Sequence, residues 1–253
     1  MTPERMQFHL QVVQPLEAKL LALPLGRLFT GELYDLDDTP IGGMDVPDLG
    51  EHGLRLSAAD VGRLFMAPDD SNITALQLAA RDDGTPAGFT VRSQNDFNQA
   101  GAPVDIVAYR DLLGDGVRID ALYLSRIMLR ADAPERLCTV AFGLQACTAY
   151  RHDFAEVTLY AAGKGYGGVA LDEDDLVGYQ VWPKFGFDAP LEPADLQQDA
   201  RFAACRSVQD VVAIDRLWWD AWGRPMEMRF DLAPNSRSWQ VLVDYLNHVF
   251  PGV

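Results

Sequence analysis

The 253-residue sequence has little cysteine and little histidine, and both shortages bear on metal and disulfide chemistry. Its three cysteines, Cys138, Cys147 and Cys205, show no Cys-x-x-Cys spacing, so neither a disulfide framework nor a zinc site is indicated. The four histidines lie far apart, and none belongs to a pair with metal-ligand spacing. We therefore expect free thiols and no metal site.

Positive charge is also scarce, because 21 Lys and Arg residues stand against 37 Asp and Glu residues, for a formal net charge of −16. Such a chain repels nucleic acid and anionic membrane surfaces and favours an amine-bearing small molecule or protein as its partner. The sequence lacks an apolar run of the roughly 18 residues that a membrane span requires, and its N-terminus lacks the pattern of a signal peptide. We expect a cytoplasmic protein that binds neither nucleic acid nor membrane, and its oligomeric state stays open.

The most informative stretch of the chain is strand-like and covers residues 117–131. Apolar, β-branched and aromatic residues alternate in it, as Val117, Ile119 and Tyr123 illustrate. A strand usually has about 5–6 residues. The length of this stretch therefore predicts a bulge or bend near residues 124–126.

A helix is predicted directly after this strand, because apolar residues recur at helical spacing and indicate one buried face. We expect Asp132 or Ala133 to cap the helix and Pro134 to lie in its first turn. Residues 155–162 form a second predicted strand, so that strand, helix and strand make a βαβ-like unit. The apolar residues of the helix are Leu137, Val140, Ala141, Leu144 and Cys147.

This part of the chain resembles the core of the GNAT superfamily of N-acetyltransferases. The resemblance is carried by Leu129-Arg130-Ala131 at the end of the first strand, a helix opening at Arg136, a strand closing on Ala161-Ala162, and the sequence Trp182-Pro183-Lys184-Phe185-Gly186-Phe187. It implies an α/β (α+β) fold with a GNAT-like mixed central sheet flanked by helices and extra N- and C-terminal elements.

The resemblance also implies an activity, a cosubstrate and a site. The activity is acyl-CoA-dependent N-acyl transfer, from acetyl-CoA to an amine of a small molecule or protein; the alternative is a catalytically inactive GNAT-fold binding or interaction module. The pantetheine of acetyl-CoA is expected beside Leu129, Arg130 and Ala131. Its phosphates are expected near Arg136, Thr139 and Ala141.

Two departures from the family pattern favour the inactive alternative. The family's phosphate loop runs Gln/Arg-x-x-Gly-x-Gly/Ala, whereas Thr139 occupies the position of the central glycine here. Trp182 stands four residues before Gly186, where the family usually carries its general-acid tyrosine, and an indole N–H cannot shuttle a proton. Tyr179 is the nearest phenol.

For acyl transfer the candidate general base is Asp120 or Tyr123, and the candidate general acid is Tyr179. The structural alternative makes Tyr123 a core residue and Asp120 a solvent-facing one. Similarly, Arg136 is either a phosphate ligand or a surface residue that pairs with Asp132 or Glu135.

A glycine-rich segment, residues 163–168, matches the dinucleotide pattern Gly-x-Gly-x-x-Gly. That motif requires a helix opening at its third glycine. Here the acidic residues 172–175 follow instead and would repel a phosphate. We therefore interpret the segment as a loop.

The remaining chain supplies further elements of a single domain over residues 1–253, with a GNAT-like core at about 70–191 and an extension at 192–253. We predict an N-terminal helix or an irregular cover over the core before Pro24, a loop at 30–53, a helix at 56–66 capped by Ser57, and a sheet of about five strands. The expected elements of that sheet and of the C-terminal part are a hairpin of strands 73–80 and 88–93, a strand at 104–109, a helix at 208–222, a strand at 226–232 and a helix at 236–250.

Overall fold

A computed structural model describes residues 2–46, 54–79, 82, 87–112, 118–163, 176–196 and 199–251, and for 46, 110–112, 118–120 and 126 it describes the backbone alone. Several predicted features lie outside these residues: Val117, the hairpin turn at 83–86, the loop residues 164–168 and the acidic run 172–175. The chain divides into two compact units, so its expected organisation as a single domain stays a prediction. The first unit comprises Met1–Val157, Leu232–Pro234 and Phe250–Val253, and the second comprises Thr158–Asp231 and Asn235–Val249.

The described residues form nine strands and seven α-helices. The strands are β1 (Leu33–Tyr34), β2 (Gly43–Val46), β3 (Leu54–Ser57), β4 (Ser71–Leu78), β5 (Gly88–Gln94), β6 (Val104–Leu112), β7 (Arg118–Arg126), β8 (Glu156–Ala161) and β9 (Met226–Asp231). The helices are α1 (Pro3–Phe8), α2 (Gln14–Ala22), α3 (Ala58–Leu64), α4 (Leu137–Arg151), α5 (Gly178–Val181), α6 (Val208–Trp222) and α7 (Arg237–Val249). Shorter turns are π-helical at His9–Val13 and 3₁₀-helical at Gly26–Leu28, Trp182–Phe185, Pro193–Leu196 and Ala200–Phe202.

The strands confirm a mixed α/β fold. Seven of them follow the order β1-β4-β5-β6-β7-β8-β9, and β8 begins in the first unit and continues in the second. Strand β1 is parallel to β4, whereas β4, β5, β6 and β7 are successively antiparallel. The predicted hairpin of β4 and β5 is therefore confirmed. The predicted loop at 30–53 is only partly correct, because β2 lies within it and pairs with β3.

Strand β7 contains the predicted bulge. Opposite β6, Asp105 pairs with Arg126 and Ile106 pairs with Leu124, so that the register skips Ser125. An extra residue on one strand bends that strand and ends its regular pairing nearby. The regular strand accordingly ends at Arg126, earlier than predicted.

Helix α4 differs from the predicted amphipathic helix. Its residues Thr139 to Tyr150 are all buried, so the expectation of a single buried face is wrong. Small and apolar side chains allow this, because several neighbouring elements can approach the helix closely. The predicted cap is also wrong: the N-cap is Arg136, in the left-handed conformation with φ 68°, and Pro134 precedes the helix.

Charged side chains join the N-terminal helices of the first unit to the last turn of α4. Arg151 donates to Asp60 of α3 at 2.7 Å and to Glu17 of α2 at 3.2 Å. Ser57 caps α3 as predicted, since its Oγ accepts from the N–H of Asp60 at 3.1 Å. These contacts fix α2 and α3 against α4.

In the second unit, helix α6 has the predicted bounds and a kink that the sequence pattern missed. Asp215 has non-helical angles, φ −153° and ψ 91°. From the sequence, Val208, Val211, Ile214, Trp218 and Trp222 are expected on one buried face of this helix. Val208 and Val211 are fully buried and Trp218 is half-buried, but Ile214 is 54% exposed and Trp222 is 39% exposed. The expected stripe is therefore wrong at Ile214 and Trp222.

Candidate functional site

A small cavity lies in the first unit, beside the N-terminus of α4. Its volume is about 20 Å³, which is enough for one group the size of a water molecule. Leu137, Cys138 and Ala141 of α4 form one wall of the cavity. The rest of the lining is mainly apolar and includes Phe29, Met66, Pro68, Val104, Ile127 and Leu129, together with the polar residues Asn95 and Asn98.

An open groove of about 650 Å³ adjoins this cavity, since Asn95 and Asn98 line both of them. One side of the groove is the polar segment that follows β5, and the other side is the segment that follows β7. Its remaining lining residues are Gln94, Asp96, Gln99, Ala100, Arg130, Ala131 and Asp132.

Backbone hydrogen bonds hold the two sides of the groove together. Beyond the Ser125 bulge, Leu129 forms a bridge with Asn98. The N–H of Gln99 donates to the carbonyl of Met128 at 3.0 Å, and the N–H of Arg130 donates to the carbonyl of Phe97 at 2.9 Å. The bend in β7 therefore positions the site, because it brings residues 128–130 against residues 97–99.

Four of the residues predicted to bind the cofactor meet at this cavity and groove. Leu129 and Ala141 line the cavity, and Arg130 and Ala131 line the groove. Thr139 is 5% exposed and lines neither of them. The resemblance assigned Leu129, Arg130 and Ala131 to a strand end and Ala141 to a helix. The fold brings these four residues to one place.

The groove carries an ion pair with short contacts at its exposed rim. The Arg130 guanidinium binds the Asp132 carboxylate through contacts of 2.6 and 2.8 Å. The hydrogen bond from Arg130 holds the pKa of Asp132 below its ordinary value, and the same bond raises the pKa of Arg130. With Asp96 also on the groove, its lining carries two acids and one base.

The predicted phosphate ligand Arg136 lies at the N-cap of α4, and its side chain is 42% exposed. Its Nε lies 3.5 Å from Glu135, which is the pairing expected of a surface arginine. Its guanidinium carbon also lies 5.6 Å from the centre of the Phe250 ring. Both contacts are exposed and weak.

The first turn of α4 offers backbone donors. The N–H of Leu137 donates to Pro134 at 3.1 Å, and that of Val140 donates to Arg136 at 3.1 Å. The first N–H groups of a helix have no acceptor within the helix. Within the described part of the chain, the N–H groups of Cys138 and Thr139 accordingly lack an acceptor.

The candidate bases both lie on β7. Tyr123 is partly buried and pairs in register with Val107 of β6. Asp120 pairs in register with Arg110, and its side chain lies outside the described residues. The assignment of either residue as a base stays a prediction.

The candidate acid Tyr179 lies in the second unit, where it is 6% exposed. Its phenol donates to the carbonyl of Asp220 at 3.2 Å and accepts from Gln180 at 3.1 Å. Its carbonyl accepts from the indole N–H of Trp219 at 2.9 Å. Trp182, at the position of the family's tyrosine, packs edge-on against the rings of Phe185 and Phe187 at 5.6 and 5.3 Å. Both side chains thus have structural partners.

Comparison with known proteins does not indicate a function for this chain. No family model, curated protein or solved structure matches it. Within the described residues, no group of three or more His, Cys, Asp or Glu side chains is placed to hold a metal ion. In the same part of the chain, every helix is too short or too polar to cross a bilayer.

The polar side of the site, residues 94–99, was not predicted from the sequence. Their sequence, Gln-Asn-Asp-Phe-Asn-Gln, concentrates amide side chains between two predicted strands. That composition was a usable signal, because such residues favour turns and also supply hydrogen-bonding side chains. Asn98 is the most buried of them, with 3% exposure.

Proposed function

We propose that this chain is an acyl-CoA-dependent N-acyltransferase with a GNAT-like core, which transfers an acetyl or similar group to an amine of a small molecule or protein. One observation carries the proposal: Leu129, Arg130, Ala131 and Ala141 meet at one cavity and its adjoining groove beside the N-terminus of α4. The resemblance assigns these residues to acetyl-CoA from different stretches of sequence. A helix N-terminus with free N–H groups suits the phosphates of that cosubstrate.

The bulged end of β7 also supports the proposal. Past Ser125 the chain leaves the regular ladder, and residues 128–130 bond to residues 97–99 on one side. In the family, the backbone of such a strand end pairs with pantetheine. The proposed pantetheine therefore lies along Leu129, Arg130 and Ala131, and the phosphates lie near Arg136, Thr139 and Ala141.

The acidic residues of the groove oppose the binding of a phosphate. Asp132 already occupies Arg130, so a phosphate in reach of that guanidinium has to displace the carboxylate. The pair is exposed, and exposed pairs contribute little free energy. The exchange is therefore feasible, and the acidic groove also suits a cationic amine acceptor.

For the chemical step, the proposal assigns Asp120 or Tyr123 as the base that accepts the amine proton and Tyr179 as the acid that protonates the leaving thiolate. The Tyr179 proton is committed to the carbonyl of Asp220. Acid catalysis therefore requires the phenol to exchange that partner for the thiolate.

A second candidate function is binding without transfer. The engaged phenol of Tyr179 and the indole of Trp182 favour it, because the Tyr179 proton is already donated to a carbonyl and an indole N–H cannot shuttle a proton. Under this alternative the same groove holds a ligand, and the chain acts as a binding module with a GNAT-like fold.

Calorimetric titration with acetyl-CoA tests the proposal. We expect binding to the wild type and a loss of about tenfold or more in affinity for Arg136→Ala, because a charge-assisted contact with phosphate is removed. The melting temperature of this variant is expected to stay nearly unchanged. Absence of binding at millimolar acetyl-CoA rejects the proposal.

Arg55→Ala is the matched control. Its side chain is exposed and pairs with Asp45 at 3.6 Å, similar to the 3.5 Å between Arg136 and Glu135. We expect its affinity for acetyl-CoA to stay within about twofold of the wild type. Release of free CoA thiol in the presence of putrescine then separates the two functions: release supports transfer, and binding without release supports the binding module.

A further inference from the structure

The side chain of Asn98 has one amide end satisfied and the other end without a partner. Its Nδ2 donates to the carbonyl oxygen of Ser93 at 2.9 Å. Only the nitrogen end of the amide can make that bond, so the bond fixes which way the amide is turned. No donor among the described residues reaches Asn98 Oδ1, which is buried.

A buried acceptor without a donor costs free energy, and native proteins seldom leave one in that state. Asn98 is 3% exposed and lines the cavity of about 20 Å³. Most of the other lining side chains are apolar and have no N–H or O–H to offer. No described residue supplies the missing donor, and a group that enters the cavity would meet the residue that needs it.

The groove adjoins the cavity, since Asn95 and Asn98 line both spaces. The amide of Asn95 is already engaged: its Nδ2 donates to Ser71 at 3.2 Å and its Oδ1 accepts from Phe97 at 2.9 Å. The amide of Gln99 donates to the carbonyl of Leu129 at 3.3 Å. Asn98 Oδ1 is thus the buried polar atom of the site that a ligand can satisfy.

The first turn of α4 adds a donor for the ligand. Cys138 lines the cavity, and its N–H belongs to the first turn of α4 and lacks an acceptor in the described part of the chain. A ligand group that matches both walls needs an N–H for Asn98 and an oxygen for the helix. A carboxamide carries both within a few ångströms.

We propose that the cavity and groove form a binding site for a carboxamide group, whose N–H donates to Asn98 Oδ1 and whose carbonyl faces the first turn of α4. The site goes beyond acyl transfer, because it requires neither a thioester nor a phosphate. The cavity takes the amide nitrogen, and the rest of the ligand lies in the groove of about 650 Å³.

Charged groups fit the cavity poorly. An ammonium has three N–H donors, and a single neutral acceptor in an apolar cavity leaves the others unpaired. A carboxylate has no N–H or O–H to donate to Asn98 Oδ1, so two acceptor oxygens would face each other. The site therefore selects a neutral amide over an amine or an acid of the same size.

Three probes of matched size test this selection on the ¹⁵N-labelled wild type by nuclear magnetic resonance: acetamide, acetone and acetate. We expect acetamide to shift the Asn98 side-chain resonances and the Cys138 backbone resonance in a saturable way. Acetone keeps the carbonyl and lacks the N–H, so it is expected to produce no saturable shift, as is acetate. Equal binding of acetone, or no saturable shift with acetamide, overturns the proposal.

Asn98→Leu and Gln99→Leu form a matched pair of variants. Both remove an amide from the lining of the groove, but Gln99 is exposed and Asn98 is buried. We expect Asn98→Leu to weaken acetamide binding at least about tenfold and Gln99→Leu to retain it. Binding that survives in a folded Asn98→Leu variant overturns the proposal. If that variant does not fold, the comparison of probes on the wild type still decides.

Competition with acetyl-CoA identifies the source of the carboxamide, because the pantetheine arm contains amide bonds. Displacement of acetamide by acetyl-CoA supports the site and assigns it to that arm. Acetamide binding that persists beside bound acetyl-CoA supports the site and assigns it to a separate ligand. If acetamide binds and acetyl-CoA does not, the carboxamide site stands and the acyltransferase proposal fails.

Discussion

The phenol of Tyr179 is hydrogen-bonded to the backbone carbonyl of Asp220 at 3.2 Å, within the second unit. The same oxygen accepts from Gln180 Nε2 at 3.1 Å, and the Tyr179 residue is 6% exposed. The contact joins α5 to the last turn of α6. A side chain that the sequence marked as a candidate acid thus also has a structural role.

Replacement of Tyr179 by Phe is expected to lower the free energy of unfolding by about 1 kcal/mol, because a buried hydrogen bond is lost while the ring is kept. Urea unfolding measures the change. Tyr160→Phe is the control, since Tyr160 is 44% exposed and its loss is expected to stay within about 0.5 kcal/mol. An unchanged stability combined with a loss of thiol release would instead make Tyr179 an acid without a structural role.

The stability of the first unit is expected to depend on pH through Asp60. Burial raises the pKa of this carboxyl, but the nearby His152 side chain and the hydrogen bonds from Arg151 and Ser57 outweigh burial and hold the pKa well below the ordinary value of 3.8. A group whose pKa is lowered in the folded state stabilises the fold above its ordinary pKa. That stabilisation is lost as the pH falls below 3.8 toward the folded value.

Asp60→Asn is therefore expected to cost about 1.5–3 kcal/mol near neutral pH, because charge-assisted hydrogen bonds from the Arg151 side chain are weakened. The difference from the wild type is expected to shrink as the pH falls below about 4. Urea unfolding over a pH series measures both. Asp45→Asn is the control, because Asp45 is 81% exposed. A difference that stays constant with pH contradicts the assignment of the effect to Asp60 ionisation.

Gly186, in the Gly-Phe pair that helped to suggest the family, has a structural reason to be glycine. Its φ is 93°, and a Cβ there would collide with the carbonyl oxygen of Ser238. Gly101 has φ 73° with no heavy atom within 4 Å of a Cβ among the described atoms. Alanine substitutions at the two glycines therefore distinguish the cost of backbone strain alone, at Gly101, from the cost of strain together with a steric collision, at Gly186.

Gly101→Ala is expected to lower the free energy of unfolding by about 1–2 kcal/mol from left-handed strain alone. Gly186→Ala adds the displacement of the Ser238 backbone, and its loss is expected to reach about 2–5 kcal/mol. Thermal and urea unfolding of both variants measure the losses. Equal losses in the two variants would mean that Ser238 moves aside without cost.

Features that depend on residues close in sequence were predictable. The Ser57 cap, the hairpin of β4 and β5 and the bulge at Ser125 follow from side-chain chemistry and strand length over a few residues. The helices α6 and α7 have nearly their predicted bounds for the same reason. Errors arose where neighbours distant in sequence intervene, as at α4, which is buried all around, and at Ile214, exposed beside the Asp215 kink.

The sequence by itself determined the alternation of strand and helix around α4, because hydrophobic periodicity and turn residues act locally. It also supplied the residues of one side of the candidate site, Leu129 to Ala131 and Ala141. Only the tertiary structure decided that Asn98 lies against Leu129 and shares a cavity with Ala141. That arrangement depends on the register of β6 with β7 beyond the bulge, since pairing between strands, unlike helical periodicity, is set by contacts between distant parts of the chain.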